Sequence, residues 1–260
     1  MLYDAVMIAT LPMYDWPEVS SATDAWWRGL ARHIGSDLPL SRTPDYAAAW
    51  ERPELLFSQT CGYPFTHALA GKVKIVATPH YAVDGCEGPL YRSIIFAREK
   101  KHLEEFQGAT AAVNTPDSMS GMLALKLVFA PLAEQGRFFG KVIASGGHAN
   151  SMSAVRDGRA DVCAIDAICV ALARAYRPDA LKGLVEIARS PQVPGLPFIT
   201  NGGNPEKLRE GLLRAFADPD LKDARDRLFL SGYSVMAKQD YARITELEAA
   251  IAENGGLQLL

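Results

Sequence analysis

The 260-residue chain has only four cysteines, at positions 61, 86, 163 and 169. No C-x-x-C pair and no Cys/His cluster at zinc spacing occurs, so a disulfide scaffold and a structural metal site are excluded. Cys61 and Cys86 both sit in glycine-rich turns, which leaves a disulfide or two free thiols as alternatives. Charge of one sign is also lacking. Lys and Arg number 27 against 30 Asp and Glu, a net charge of −3, so no nucleic-acid partner is expected. Long apolar runs are missing as well. The best windows, 119–133 and 162–175, are broken by Lys126 and Pro131 and by Asp166. Neither window makes a membrane-spanning helix, so direct membrane insertion is not expected. The start, Met1-Leu2-Tyr3-Asp4, has no basic region and no small-residue cleavage site. That reading leaves a cytosolic protein or a mature chain with a new start Met. Finally, no P-loop and no G-x-G-x-x-G follows a strand, so no nucleotide cofactor is expected.

What is present is ordinary globular material. Hydrophobic residues are 48% and charged residues 22% of the chain, enough apolar surface to offset ordering entropy. The length suits one large domain or two of roughly 100–150 residues. Short apolar runs alternate with helical periodicity. Strands are expected at 2–9, 55–58, 73–77, 90–98, 109–114, 141–144, 161–165, 184–188 and 198–200. Helices are expected at 21–34, capped by Ser21 or Thr23, and at 64–70, 118–134, 150–157 and 167–176. The last sixty residues read as wholly helical, over 205–217, 221–230 and 239–253. Strands and helices in alternation predict an α/β fold with mostly parallel sheets. The unit around 85–187 is flanked by two extended stretches, 75–81 and 184–189, which read as paired crossings. The expected organisation is a discontinuous first domain, 1–80 plus 190–260, with a second domain, 81–189, inserted.

Ligands in open α/β sheets sit at the carboxyl ends of strands. The loops there carry Tyr14; Gln59, Thr60, Cys61 and Tyr63; the run from Asn114 to Gly121; the run from Ser145 to Ser151; and Asp166. Ser118-Met119-Ser120-Gly121 opens a helix, where free backbone N–H groups and two hydroxyls suit an oxyanion or carboxylate. The other reading is simple capping by Ser118. His148, after two glycines, is an imidazole donor or a solvated turn residue. Tyr14 and Tyr63 are pocket walls or packing under a loop. Asp166 is either the N-cap of the next helix or a ligand-contacting carboxylate. Catalytic readings are less specific. Ser120, His148 and Asp166 occur in the order Ser, His, Asp, yet no G-x-S-x-G surrounds any serine. Cys61 with His67 or His80 is a conceivable thiol pair.

Five segments taken together carry a resemblance. They are Leu11-Pro12-Met13-Tyr14, Ser58-Gln59-Thr60-Cys61-Gly62-Tyr63-Pro64, Asn114-Thr115-Pro116-Asp117-Ser118-Met119-Ser120-Gly121, Ser145-Gly146-Gly147-His148 and Ala160-Asp161-Val162-Cys163-Ala164-Ile165-Asp166. In this order and spacing the chain resembles, over residues 3–200, the PhnD-like phosphate/phosphite/phosphonate-binding proteins of ABC transporters. The resemblance implies a type 2 periplasmic-binding-protein fold of two α/β domains with two hinge crossings. It implies no catalysis, a small anionic ligand in the cleft, a permease partner and a periplasmic location. Carried over by position, Ser118, Ser120 and nearby amides would hold the anion. Tyr14, Gln59, Thr60, Tyr63, Met119, His148 and Asp166 would line the rest. Phosphonate binders of this family tend to have an unbroken run of hydroxyls at the helix start; here Met119 interrupts it. The alternative on the same fold is a cytosolic ligand sensor or enzyme using Cys61 or His148.

Overall fold

A computed structural model of the chain describes residues 7–253 and 255–259. In chain order the elements are β1 (Ile8–Ala9), α1 (Ser20–Ile34), α2 (Tyr46–Glu51), β2 (Leu55–Gln59), α3 (Gly62–Thr66), β3 (Lys74–Tyr81), β4 (Cys86–Glu87), β5 (Leu90–Tyr91), β6 (Ser93–Ala97) and β7 (Thr110–Val113). A π-helical turn, Met119–Leu123, leads into α4 (Ala124–Phe129). Then come β8 (Lys141–Ala144), α5 (His148–Arg156), β9 (Val162–Asp166), α6 (Ala167–Tyr176), β10 (Val185–Arg189), β11 (Val193–Pro194), β12 (Phe198–Thr200), α7 (Pro205–Ala217), α8 (Lys222–Arg227), β13 (Leu230–Ser234) and α9 (Ala242–Glu253). The expected first strand over 2–9 falls partly outside the described residues.

The chain forms two compact units, and each is described by itself. The first takes the chain up to Ala82 together with Gly195–Asp240. Its five-stranded sheet runs β1-β2-β12-β3-β13. The β1–β2 pair is parallel, while β12 runs antiparallel to both β2 and β3, and β13 antiparallel to β3. Helix α1 covers the core because its apolar residues recur every three or four positions. Trp26, Trp27, Leu30 and Ile34 are all buried. Trp27 stacks on Phe57, which in turn packs on Phe198. Gly35 ends the helix in the left-handed region, φ 72°, with its N–H reaching back to Ala31 and Arg32.

The second unit takes Val83–Pro194 and the chain from Tyr241 onward. Its main sheet runs β10-β6-β9-β7-β8, and a small sheet runs β11-β5-β4. β7 is parallel to both β8 and β9, while β6 is antiparallel to β9 and to β10. Its core is dense with small and β-branched side chains: Ala111, Ala112, Val113, Val162, Cys163, Ala164 and Ile165 are all buried.

The structure departs from the sequence expectation in definite ways. The sheets are mixed, not mostly parallel, because β12, β13, β6 and the small sheet all pair antiparallel. The stretch 75–81 lies within β3, just before the chain leaves the first unit after Ala82, and 184–189 contains β10, five residues before it returns after Pro194. A third passage, after Asp240, was not expected. The last segment, expected with the first domain, joins the second unit, where α9 lies against α4 and β11. The C-terminal sixty residues are not wholly helical, since β13 interrupts them. Neither Ser21 nor Thr23 caps α1: residue Val19 holds that position without a side-chain bond, and Thr23 sits inside the helix, its hydroxyl donating to the Val19 carbonyl.

Candidate functional site

In the second unit the polar loops leave one edge of the sheet, because β7, β8 and β9 are parallel and end together. Hydrogen bonds tie the first two loops: Ser145 N–H donates to Val113 and Gly146 N–H to Asn114, at 2.7 and 2.8 Å. The loop after β7 runs into the π turn. Ser118 is its N-cap, with Oγ accepting from Gly121 N–H at 3.0 Å. The turn closes i to i−5, Leu123 N–H to Ser118 carbonyl, 3.0 Å, and leading N–H groups of such a turn lack intrahelical partners. Ser118, Met119 and Ser120 are buried.

His148 opens α5 after the glycine pair. Its Nε2 lies 2.9 Å from Ser120 Oγ, and Ser120 Oγ lies 3.5 Å from Ser118 Oγ. The loop holding it is fixed by Ser145 Oγ to Ser151 Oγ, 2.7 Å, and by Asn150 Nδ2 donating to the Ser145 carbonyl, 2.9 Å. Burial lowers the ring's pKa to about 4, opposed by the Ala164 backbone. The imidazole is therefore neutral at neutral pH. Its Nδ1 is buried and makes no well-formed hydrogen bond. Asp166 ends β9, buried, and accepts from Ile168 and Cys169 N–H at 2.7 and 3.4 Å as N-cap of α6. The capping alternative for Asp166 is thus what the geometry displays. Burial, then the nearby Asp166 carboxylate, pushes the Cys86 and Cys169 thiols up, and burial alone pushes Cys163 up. All four cysteines are free thiols.

In the first unit, β1 and β2 end at the same edge. Tyr14 is buried and meets Tyr81 edge to face, with centroids 5.2 Å apart. Gln59 donates its amide to the Tyr81 hydroxyl at 3.1 Å and to the Leu196 carbonyl at 3.0 Å. Thr60 is fully buried; its N–H donates to Pro197 and its hydroxyl to the Cys61 carbonyl. Tyr63 is half-buried and stacks on His67 at 3.9 Å. His67 Nδ1 lies 2.9 Å from the Tyr63 carbonyl, and His80 Nε2 lies 2.8 Å from Ser234 Oγ. Each ring thus has a hydrogen-bond partner.

The structure therefore brings Ser118, Ser120 and His148 into contact in one unit, and Tyr14 and Gln59 around Tyr81 in the other. Sequence reasoning missed Tyr81. Its signal was available only as a tyrosine at the end of a strand longer than the expected 73–77. Asn114 was also not singled out, although it sits directly against Gly121.

This architecture is that of type 2 periplasmic binding proteins, the class of two-unit α/β ligand-binding proteins. Over residues 8–242 the chain matches the family of periplasmic substrate-binding proteins of phosphonate ABC transporters, and it belongs to that family. Membership implies a small ligand and a permease partner; the family is one of substrate-binding transport proteins, not of enzymes. Among solved structures, a binding-protein component of an ABC phosphonate transporter from Pseudomonas aeruginosa is 19% identical, covering 96% of this chain and 88% of that one, with TM-score 0.79. PhnD1 from Prochlorococcus marinus, solved with methylphosphonate, is 13% identical over 95% and 98% of the two chains, TM-score 0.77. A Xanthomonas citri protein solved with ATP is 17% identical over 96% and 98%, TM-score 0.69. No curated protein matches by sequence. No helix among the described residues is long and apolar enough to cross a membrane.

Proposed function

We propose that this chain binds a small phosphonate or related oxyanion and presents it, unchanged, to an ABC-transporter permease. One observation carries the reading: the hydrogen-bonded constellation of buried Ser118 and Ser120 with half-buried His148 at the start of a helical run. Hydroxyls and N–H groups aimed at one place suit a tetrahedral oxyanion, and a neutral imidazole orients one hydroxyl without adding charge. Met119 contributes a buried apolar wall and, at most, a backbone donor. In the first unit, Tyr14, Gln59, Thr60 and Tyr63 are assigned as ligand contacts, with Tyr81 against Tyr14 and Gln59. Asp166 anchors α6 and, at the end of β9, is assigned as a further ligand contact. Family membership supports the choice of ligand class, as does methylphosphonate in a protein of the same fold.

The catalytic alternative draws no support from the geometry. Asp166, third in the Ser, His, Asp order, holds the N-terminus of α6.

Titration calorimetry with methylphosphonate, phosphite, phosphate and an aminoalkylphosphonate tests the assignment. A saturable isotherm with at least one is expected. Ser120→Ala combined with His148→Ala should abolish it while the circular dichroism spectrum survives. Undiminished affinity in that double variant would overturn the site.

A further inference from the structure

The first unit's sheet ends at β13, which among the described residues pairs with β3 alone. An outer strand offers a row of backbone donors and acceptors to any extended chain, and monomers guard it with charge, proline or a covering segment. The other outer strands of this chain are guarded in that way. β10 carries Glu186 and Arg189, β8 carries Lys141, β4 carries Glu87, β11 ends in Pro194, and β1 is bridged at Ala9 by Leu40. From Leu230 to Ala237 there is no charge and no proline. A register shift between Leu230 and Gly232 makes a bulge at one end of β13, and Gly232, Tyr233 and Ser234 beyond it pair regularly. The partner of Tyr233 is Pro79. Proline has no N–H, and bonded pairs alternate with non-bonded ones in an antiparallel ladder. The bonds to β3 therefore fall on Gly232 and Ser234, and Tyr233 turns its own N–H and carbonyl to the open side.

The side chains beside this edge are apolar and open. Leu213 and Val235 are 63% and 56% exposed, the exposed large apolar residues among those described, and both line one groove with Phe216, Phe229, Ser231 and Tyr233. Tyr233 packs on Phe216 of α7 with centroids 5.4 Å apart, so the strand face that carries Ser231, Tyr233 and Val235 is the one beside α7. Phe229 takes φ 57°, a left-handed backbone that suits glycine and is costly for a bulky residue, yet it places an aromatic ring on the groove wall. We propose that two copies of this chain associate through the open edge of β13, antiparallel about a two-fold axis at Tyr233. The Tyr233 N–H of each copy donates to the Tyr233 carbonyl of the other, and Ser231 of each lies opposite Val235 of the other. Charge compatibility selects this occupant. About a two-fold axis a strand meets itself, so a charge near the axis would repel its own image. β13 has none. The charges on the groove are already matched: Lys222 bonds Asp226 within α8, and Arg225 donates to the Ala215 and Asp218 carbonyls. A strongly acidic or basic partner finds no opposite field there, whereas an uncharged edge fits its own copy.

The test is sedimentation equilibrium of the full chain, without ligand, from about 2 to about 500 µM. One strand pair is a small interface beside the roughly 800 Å² per partner of a standard one, so a weak dimer is expected, half formed between about 10 and about 300 µM. The mean mass should rise from one chain towards two and stop there, because a two-fold pair uses up both edges. Two double variants at the exposed positions Ser231 and Val235 test the register. Ser231→Glu with Val235→Lys sets opposite charges across the seam at both ends. Ser231→Lys with Val235→Lys sets like charges there. The second variant's dissociation constant should exceed the first's by at least about tenfold, with both folded by circular dichroism. Equal dissociation constants mean that the copies meet elsewhere and overturn the proposal. A mass that grows beyond two chains overturns it as well. So does a single-chain mass throughout the range, which leaves the edge to an extended segment of another protein.

Discussion

Gly121 is constrained by its neighbour. A Cβ at this position would overlap the Asn114 side-chain amide and lie 3.2 Å from the Asn114 backbone nitrogen. Asn114 Oδ1 is buried without a partner, so the amide is held by packing in a tight space. Gly121→Ala should lower stability by about 1–3 kcal/mol, the usual cost of overpacking. A urea midpoint equal to the parent's would show that the loop after β7 gives way freely. His148 supplies the second residue-scale prediction. Its pKa is lowered from 6.5 to about 4. As the pH falls through 6.5 the unfolded chain takes up the proton and the folded chain does not, so stability is full above about pH 6.5 and declines towards pH 4. His80, lowered by burial, acts in the same direction. The loss attributable to His148 is on the order of 1–3 kcal/mol, discounted for the exposed part of the residue. His148→Gln should flatten this part of the stability curve. Asp84, held low by Arg189, and Asp218, held low by His33, act in a separate window, below the ordinary carboxylate pKa of 3.8. Their contribution is present above that pH and is lost as the pH falls further, so it survives in the His148 variant. A variant with the parent's slope between pH 6.5 and 4 would place the titration elsewhere.

At the scale of elements, the sequence was legible where local signals and tertiary demand agree. Helices α6 and α7 and strands β8 and β12 fall at their expected bounds. Asn204 before Pro205 starts α7 as capping chemistry dictates, its side chain accepting from Lys207 N–H at 3.0 Å. The helix expected over 118–134 was legible as a helix but not in its pitch. The close approach of Gly121 to Asn114 coincides with the π turn, and Pro131 lies in the 3-10 turn that ends the run. Strand β13 was illegible, because Leu230-Ser231-Gly232-Tyr233-Ser234 has little strand propensity. Its conformation comes from pairing with β3, a partner some 150 residues away in sequence. Ser118, Ser120 and His148 could be named from loop position alone, whereas their hydrogen bonds depend on the register of β7 against β8. Asp166 belongs to this scale because it joins β9 to α6. Asp166→Ala should cost about 0.5–2 kcal/mol, whereas Asp166→Asn keeps an acceptor for Ile168 N–H and should cost less. Equal losses in the two variants, measured by urea unfolding, would mean that the carboxylate's charge matters more than the cap.

At the scale of the whole molecule, the two-unit organisation and the inserted middle were readable from the alternation of strands and helices. The third passage of the chain, after Asp240, was not. Helical periodicity in 239–253 shows that the segment has an apolar face but carries no address for it. The address is written in the second unit. Tyr241, Ile244, Leu257 and Leu259 are buried, α9 lies against α4 and β11, and Gln258 N–H donates to the Gly136 carbonyl at 3.0 Å. Buried side chains of this kind are worth roughly 1.5–3 kcal/mol each, an upper estimate for folding. Removing residues 241–260 should therefore leave the second unit near or below its stability limit, since whole domains hold only about 5–15 kcal/mol. The first unit has its own sheet and should keep it. Limited proteolysis of the truncated chain is expected to cut within 83–194 first, and calorimetry should show a weakened transition beside a surviving one. Methylphosphonate should no longer raise either midpoint, because Ser118, Ser120 and His148 lie in the unit that is lost. A truncated chain that unfolds at the parent's midpoint and still responds to the ligand would show that the last twenty residues lie on the second unit without supporting it.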